Sequence, residues 1–495
     1  MPILRRAKIV ATLGPVSSDE AAIGRLLAAG ADVFRLNLSH GNHATHAAAI
    51  AAVRRAADEA GREIPVLLDL MGPRFRLGDL PKGPRALRRG ETISLGDAAG
   101  GVDLPVDDPE FLRHLKVGER VLIDNGLVEI EVTAKRAHKV TARVVHGGAV
   151  SARKGINLPD SKIPFTISAK DRADIEFAVA EGADYLAASY IGRGRDVDAV
   201  REVARAFGAE IPVIAKLERA AALAHIDEIV AASDAVMVAR GDLGVEVPLH
   251  DVPVLQKKIV ASGRRHGRPV IVATQMLESM MTQPRPTRAE ASDVANAVFD
   301  GADALMLSGE TASGKFPAET VRTMARIVVE AEAYKLQLFA EGYPPPAQNL
   351  PTGRYPAPEP RILEAGAQAP AIEIADVVAA AAVHAASKLA FSRIVAFSQG
   401  GFTAKRLARY RPVVPAIVFT TDAAVARRMQ LLWGTLPIHL PREVQHRDDL
   451  IQVVERELLV RRLIKPGECI ILLMGHPIAE KPLTNLLRIH RVAER

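Results

Sequence analysis

Pro212-Val-Ile-Ala-Lys-Leu217 is a short β-rich run, the residues after it as far as Ala232 read as helix, and Asp234-Ala-Val-Met-Val-Ala239 starts the pattern again. The same alternation recurs at Lys8 to Leu13, Asp32 to Leu36, Pro65 to Asp69, Asp184 to Ser189, Pro269 to Thr274 and Asp303 to Ser308. Parallel strands alternating with helices suit a doubly wound sheet or a closed barrel. Eight such units, about 25–35 residues apart outside one long gap, favour the α/β class and a (β/α)8 TIM barrel.

The long gap, residues 73–161, has a different texture: Arg120 to Ile123 and Leu127 to Val132 alternate around Asn125-Gly126, a strong hairpin signal. It reads as an inserted β-rich unit. Eight prolines fall between Glu341 and Pro370, Pro344-Pro345-Pro346 among them, and forbid regular helix or central strand. Beyond them an Ala-rich helix from Ile372 to Leu389 leads into strands at Arg393 to Ser398, Ala416 to Thr421 and Glu468 to Gly475. The organisation expected is therefore a barrel over 1–72 and 162–343, the insert over 73–161, a Pro-rich linker over 344–370 and a C-terminal α/β unit over 371–495.

With 495 residues the chain exceeds what one hydrophobic core supports. The single cysteine, Cys469, excludes a disulfide framework and thiolate metal cages and fits a reducing compartment. Met1 to Pro15 lacks the apolar stretch of a signal peptide, and no uncharged run is long enough for a membrane span, so a cytoplasmic protein is expected. A net charge of +6 and 4% aromatic residues suit small anions better than nucleic acid.

Barrels deliver chemistry at the C-terminal ends of their strands. The second run ends Arg35-Leu-Asn37-Leu-Ser39-His40-Gly41, whose alternation puts a cation, an amide and a hydroxyl on one side, groups suited to phosphate and metal. An Asn/Ser turn beside a strand-end arginine is the structural alternative. The fifth run ends Lys216-Leu217-Glu218, a lysine and a carboxylate facing one way, either a site or an internal ion pair. The sixth ends Arg240-Gly241-Asp242-Leu243-Gly244, where glycine permits close approach to a ligand or simply forms a turn. Glu218 and Asp242 on adjacent strand ends make an oxygen site of the kind magnesium uses, and Lys216 beside them is placed to stabilise a transferring phosphoryl group. From the seventh run, Thr274 is the candidate, while Thr287 and Glu290 have capping-box spacing and, with Asp293, Asn296 and Asp300, read as helix architecture.

Two motifs mislead. Gly309-Glu-Thr-Ala-Ser-Gly314-Lys315 matches a phosphate-binding loop, yet Phe316 stands where a Ser or Thr belongs and Pro317 follows. His40, His43 and His46 are spaced three apart, which on a helix spreads them instead of stacking them around zinc.

Taken together, Lys8-Ile-Val-Ala-Thr-Leu-Gly-Pro15, Arg35 to Gly41, Asp69-Leu-Met-Gly-Pro73, Lys216 to Glu218, Met237-Val-Ala-Arg-Gly-Asp-Leu-Gly244, Ala273-Thr-Gln-Met-Leu-Glu-Ser279 and Pro286-Thr-Arg-Ala-Glu290 resemble pyruvate kinase, over nearly the whole chain. The resemblance implies a barrel, an inserted β-barrel lid and a C-terminal regulatory domain, in a cytoplasmic, allosteric homotetramer. It implies phosphoryl transfer from phosphoenolpyruvate to ADP, giving pyruvate and ATP at the last step of glycolysis. By the same resemblance Glu218 and Asp242 hold Mg2+ (or Mn2+), Arg35 and Lys216 neutralise the transferring group, the Gly241 and Asp242 amides hold the substrate carboxylate, and Thr274 acts near the enolate. Asn37, Leu38, Ser39, His40, Arg76 and Lys154 match its nucleotide site, and Asn37, Ser39, Asp69 and Leu70 its monovalent-cation site.

Departures from the family pattern carry expectations of their own. Arg74 and Leu77 stand where potassium-dependent members look like having glutamate and threonine, so an enzyme independent of K+ is expected. Ser398-Gln-Gly-Gly401-Phe-Thr403 and Gly475 to Asn485, with Glu480, keep few of the groups by which relatives grip a sugar bisphosphate. Two other readings compete: a dikinase or carbon-phosphorus mutase barrel, which lacks the insert, and a nucleic-acid patch at Lys405, Arg406, Arg409 and Arg411, against which a solvated helix face is the plainer account.

Overall fold

The computed structural model describes residues 5–340, except 74, 82, 99, 100, 109, 137 and 162, and residues 371–494, except 389, 390, 392, 442–446 and 476–482. The expected linker, Arg74 and Glu480 lie outside the described residues.

Strands β1 (Lys8–Leu13), β2 (Val33–Asn37) and β3 (Val66–Asp69) precede the strands of the insert, β4 (Phe75–Arg76), β5 (Arg85–Leu87), β6 (Thr92–Gly96), β7 (Leu104–Pro105), β8 (Arg120–Ile123), β9 (Val128–Arg136), β10 (Lys139–His146), β11 (Gly148–Val150) and β12 (Gly155–Asn157), of which β5 and β11 pair as a separate two-stranded sheet. The first sheet then resumes with β13 (Tyr185–Ala188), β14 (Val213–Leu217), β15 (Ala235–Ala239), β16 (Val270–Ala273) and β17 (Ala304–Leu307). These last five close with β1 to β3 into an all-parallel barrel in the order β1-β17-β16-β15-β14-β13-β3-β2. Each of the eight β-rich runs read from sequence is one barrel strand.

The runs are continuously apolar because both faces are covered. One set of side chains, including Val10, Val33, Leu67, Ile214, Met237 and Ile271, fills the barrel interior. The alternate set, including Ile9, Phe34, Leu68, Val213, Val236 and Val272, packs against the surrounding helices. Charged residues at the strands' C-terminal ends are thereby held at the rim of a packed core.

In the insert, β8 and β9 pair antiparallel across Asp124, Asn125 and Gly126, whose φ values of 54°, 57° and 82° explain the Asn-Gly signal. Its seven-stranded sheet runs β4-β12-β8-β9-β10-β6-β7. The two end strands meet through an antiparallel bridge from Leu77 to Val106, with Gly78 N donating to Pro105 O at 2.8 Å and Asp107 N to Arg76 O at 3.1 Å, so the sheet closes on itself around a core of its own.

The C-terminal part has the helix Ala371–Lys388 and five strands, β18 (Arg393–Phe397), β19 (Ala416–Thr420), β20 (Thr435–His439), β21 (Cys469–Met474) and β22 (Leu486–Arg491), in the order β20-β19-β18-β21-β22. The sequence reading misses both outer strands. Pro437 interrupts β20, tolerable at an edge, and β22 carries Arg488, His490 and Arg491 on an antiparallel edge, which hides the apolar pattern. Among the described residues no helix is long and apolar enough to cross a membrane.

The misleading motifs resolve physically. At the loop resembling a phosphate-binding one, the Glu310 carboxylate accepts the Ser308 and Leu277 amides at 2.7 and 3.2 Å, taking hydrogen bonds that a phosphate would need. His43 Nε2 faces Asp174 at 2.8 Å while His46 Nε2 faces the His40 carbonyl at 2.7 Å, so the histidines do not converge. The basic stretch is not an open patch: Arg406 and Arg409 share Asp376 at 3.4 Å each, and Arg411 meets Asp303 at 2.6 Å.

Candidate active site

The C-terminal rim of β2, β3, β13 and β14 carries one connected polar cluster. Arg35, from β2, places Nε and Nη2 each 2.7 Å from Asp69 Oδ2, and its Nη1 donates to Thr12 Oγ1 at 3.0 Å. Lys216, from β14, lies 3.3 Å from Asp69 Oδ1 and 3.4 Å from Glu218 Oε2, and donates to Ser189 Oγ at 2.7 Å. Glu218 also accepts the Tyr190 amide at 2.7 Å. Its i, i+2 relation to Lys216 does put both on one side, as the strand period requires.

Burial governs the electrostatics. It opposes the charge on Asp69, but Lys216 and Arg35 outweigh it and hold the carboxyl below its ordinary range. Burial likewise opposes the Lys216 ammonium, and Asp69, Glu218 and Asp242 outweigh it, so the lysine stays charged. For Glu218 the balance goes the other way: burial pushes the carboxyl up, Lys216 pulls it back, and the nearby Asp242 adds to the upward push. Glu218 is thus a buried carboxylate short of positive charge.

β15 ends where the helix Arg240–Glu246 begins, so Gly241 and Asp242 occupy a helix's first turn. Thr274 and Gln275, just after β16, have φ values of 67° and 52°, unusual for residues with a β-carbon and strained for a β-branched one. Arg240 holds them there, donating to the Thr274 and Gln275 carbonyls at 2.7 and 3.2 Å while paired with Asp293 at 2.7 Å. The turn presents the Thr274 hydroxyl to the Gly241 amide, whose hydrogen bond it accepts at 2.7 Å, and it donates to the Ala273 carbonyl at 2.6 Å. The Gly241 amide assigned by resemblance to the substrate carboxylate is therefore already bonded to Thr274. Asp293 lies, as expected, on the helix Arg288–Asp300, which the Thr287–Glu290 capping box opens, and it buttresses this turn as well.

Around the first part of the rim, Thr12, Arg35, Asn37, His40 and Ser308 line a cavity of about 690 Å³. Asn37 Oδ1 accepts the Ser39 amide at 3.1 Å, and the Leu38 and Leu70 carbonyls accept from Lys170 and Ser189 at 2.9 Å each. Arg76 and Lys154 sit in the insert, bonded to the Arg153 carbonyl at 3.1 Å and paired with Asp124 at 2.9 Å. Both of these contacts stay within the insert. The insert does touch the helix Arg240–Glu246: Asn157 Nδ2 donates to Glu246 at 3.4 Å. Leu77 is fully buried in the insert core, where a threonine hydroxyl would need a partner.

Thr12, Ser189, Lys170 and Arg240 were given no role by sequence reading. Ser189 was legible: it closes the fourth run, as Asp69 closes the third. The others act through contacts between segments far apart in the chain.

The donor set fits a divalent cation. Two carboxylates on neighbouring strand ends, one kept uncomfortable by burial and by the other's charge, gain from a cation between them, and water and substrate oxygens complete a magnesium shell. Among the described residues no group of three or more His, Cys, Asp or Glu side chains could form a cage by itself, so such an ion would rely on those extra oxygens.

Comparison with known proteins follows the same lines. The family described as "Pyruvate kinase, barrel domain" matches residues 4–321, and that described as "Pyruvate kinase, alpha/beta domain" matches residues 376–490. The chain is 40% identical over 494 residues to a pyruvate kinase of Mycobacterium tuberculosis, covering 99% of each. It is 40% identical over 495 residues to that of Corynebacterium glutamicum, covering 99% of this chain and 98% of the relative. It is 39% identical over 498 residues to that of Geobacillus stearothermophilus, covering 99% and 81%.

Proposed function

The chain belongs to the pyruvate kinase family of phosphotransferases, and from that premise we propose that it transfers the phosphoryl group of phosphoenolpyruvate to ADP, giving pyruvate and ATP, with this rim as its active site. The observation that carries the reading is the Lys216 ammonium, kept charged among Asp69, Glu218 and Asp242 at the mouth of the barrel. A fixed, buried cation costs no reorganisation as charge moves across the phosphoryl oxygens.

Glu218 and Asp242 would hold Mg2+ or Mn2+, which would supply charge neutralisation to the transferring group. Arg35 and Lys216 orient the transferring group. The P–O bond to the enolate oxygen breaks as one to the terminal ADP oxygen forms, and the enolate then takes a proton at C3, through water, on the side of Thr274. The substrate carboxylate takes the Gly241 amide from the Thr274 hydroxyl, leaving that hydroxyl free to order the water. Asn37, Leu38, Ser39 and His40 border the cavity used by the nucleotide, while Arg76 and Lys154 approach it when the insert closes as a lid and excludes water.

The enzyme works without potassium, supported by Arg74 and Leu77 in place of an acid and a threonine. Arg74 follows Asp69 and Leu70 closely in sequence, and its permanently charged guanidinium supplies the field that K+ otherwise gives. It is a cytoplasmic homotetramer; the exposed Leu249, in the short turn before the helix Val252–His266, and Val254, in that helix's first turn, suit a subunit contact. Its C-terminal unit is regulatory, but not through a sugar bisphosphate. A coupled assay of pyruvate formation with ADP, phosphoenolpyruvate and Mg2+ tests the reading: turnover at the level of background sinks it.

A further inference from the structure

Where the N-terminal ends of the barrel strands meet the C-terminal unit, a cleft of about 380 Å³ opens, within the range of small-molecule sites. Arg6, Arg264, Lys335, Arg409 and Arg411 line it against a single carboxylate, Glu332. Glu332 is already engaged: it accepts the Arg6 and Ala7 amides at 2.9 and 2.7 Å and pairs with Arg6 at 4.0 Å. Arg411 is matched by Asp303 and Arg409 by a share of Asp376.

Arg264 and Lys335 have no such match. Among the described residues no carboxylate lies within ion-pair distance of either, Arg264 Nε is buried with no hydrogen-bond partner, and Lys335 reaches only the Val298 and Phe299 carbonyls, at 3.4 and 3.3 Å. Burial lowers both, Lys335 to about 8 and Arg264 to about 10, and Arg411 pushes each further down, against an upward pull from Asp303 on Arg264 and from Glu332 and Asp300 on Lys335 that does not restore them. Desolvated like charges held together are costly, and an anion among them removes that cost.

We propose that this cleft binds a small phosphate monoester, its phosphate among Arg264, Lys335 and Arg411 and its organic body against Val383 and Trp433. Two buried cations without an ion-pair partner favour a dianion, and guanidinium forks match phosphate oxygens. The site is at the opposite end of the barrel from the phosphoryl-transfer rim, so it stands or falls independently of that reading.

Trp433 is the only tryptophan in the chain, so its fluorescence reports on the cleft. The full-length protein is titrated with inorganic phosphate, ribose 5-phosphate and a nucleoside 5′-monophosphate, with ribose and the free nucleoside as phosphate-free controls. At least one ester should change the emission saturably and raise the thermal midpoint. The controls should do neither. Lys335→Met and Arg264→Met should each weaken the apparent affinity by at least about ten-fold, while turnover of the main reaction stays within about two-fold. If Arg264→Met does not fold, Lys335→Met, which changes a partly exposed helix residue, carries the test. No saturable response to any phosphate compound at about 10 mM, a concentration well above ordinary site affinities, overturns the proposal. So does an affinity unchanged in Lys335→Met, and equal affinity for inorganic phosphate and both esters overturns the part given to the organic body.

Discussion

Thr274 Oγ1 accepts the Gly241 amide at 2.7 Å, tying the turn after β16 to the first turn of the helix that follows β15. Two adjacent barrel strands thus present a hydroxyl and an amide that can separate to receive a substrate carboxylate and a water. Thr274→Val keeps the branched shape and removes the hydroxyl. It should lower kcat by about 10²-fold or more, the scale of losing an acid–base contribution, while Thr274→Ser recovers most of the rate. Turnover by the valine variant equal to wild type would remove Thr274 from the chemistry.

Lys216→Met should reduce kcat by at least about 10²-fold with a smaller effect on substrate affinity, because a preorganised charge matters most in the transition state. Steady-state kinetics on a variant shown to be folded by circular dichroism decide it. Near-normal turnover would refute the role.

Asp242→Asn and Glu218→Gln should each shift the Mg2+ activation curve to concentrations at least about ten-fold higher, since a divalent ion needs the charge as well as the oxygen. Titrating Mg2+ at fixed substrates measures this. An unchanged curve for Asp242→Asn means that the ligand assignment is wrong.

Rates in tetramethylammonium chloride and potassium chloride at matched ionic strength should be equal, since screening is then the same. Strong, saturable stimulation by potassium would count against the role given to Arg74. Acquired potassium dependence in Arg74→Glu would support it.

Lys8 is buried, its Nζ donating to the Thr435 carbonyl at 2.7 Å, and burial lowers it from 10.5 to about 8. Between those values the unfolded chain holds more protons than the folded one, so this group's contribution to stability rises with pH across that window and its cost is complete below it. Lys8→Met removes the cost. Relative to wild type the variant should gain up to about 3 kcal/mol more at pH 7 than at pH 10. Urea midpoints at the two pH values report the difference, and parallel pH profiles would show that Lys8 folds without such a penalty.

The sequence alone determined the barrel and most of its rim. Each barrel strand is a short apolar run buried on both faces, and the period of two puts Lys216 and Glu218 on one side with no help from the rest of the chain. The hairpin was equally local, because Asn125-Gly126 supplies the positive φ values its turn needs. Only the tertiary structure decided who shares a charge with whom. Asp69 is set between Arg35 and Lys216 by strands far apart in sequence, and Arg240 holds the strained Thr274 turn with Asp293 behind it. The strand edges Thr435–His439 and Leu486–Arg491, and the unmatched Arg264 and Lys335 between two folded units, follow from packing that brings distant segments together. Periodicity is a property of neighbours along the chain; burial and electrostatic compensation are properties of neighbours in space.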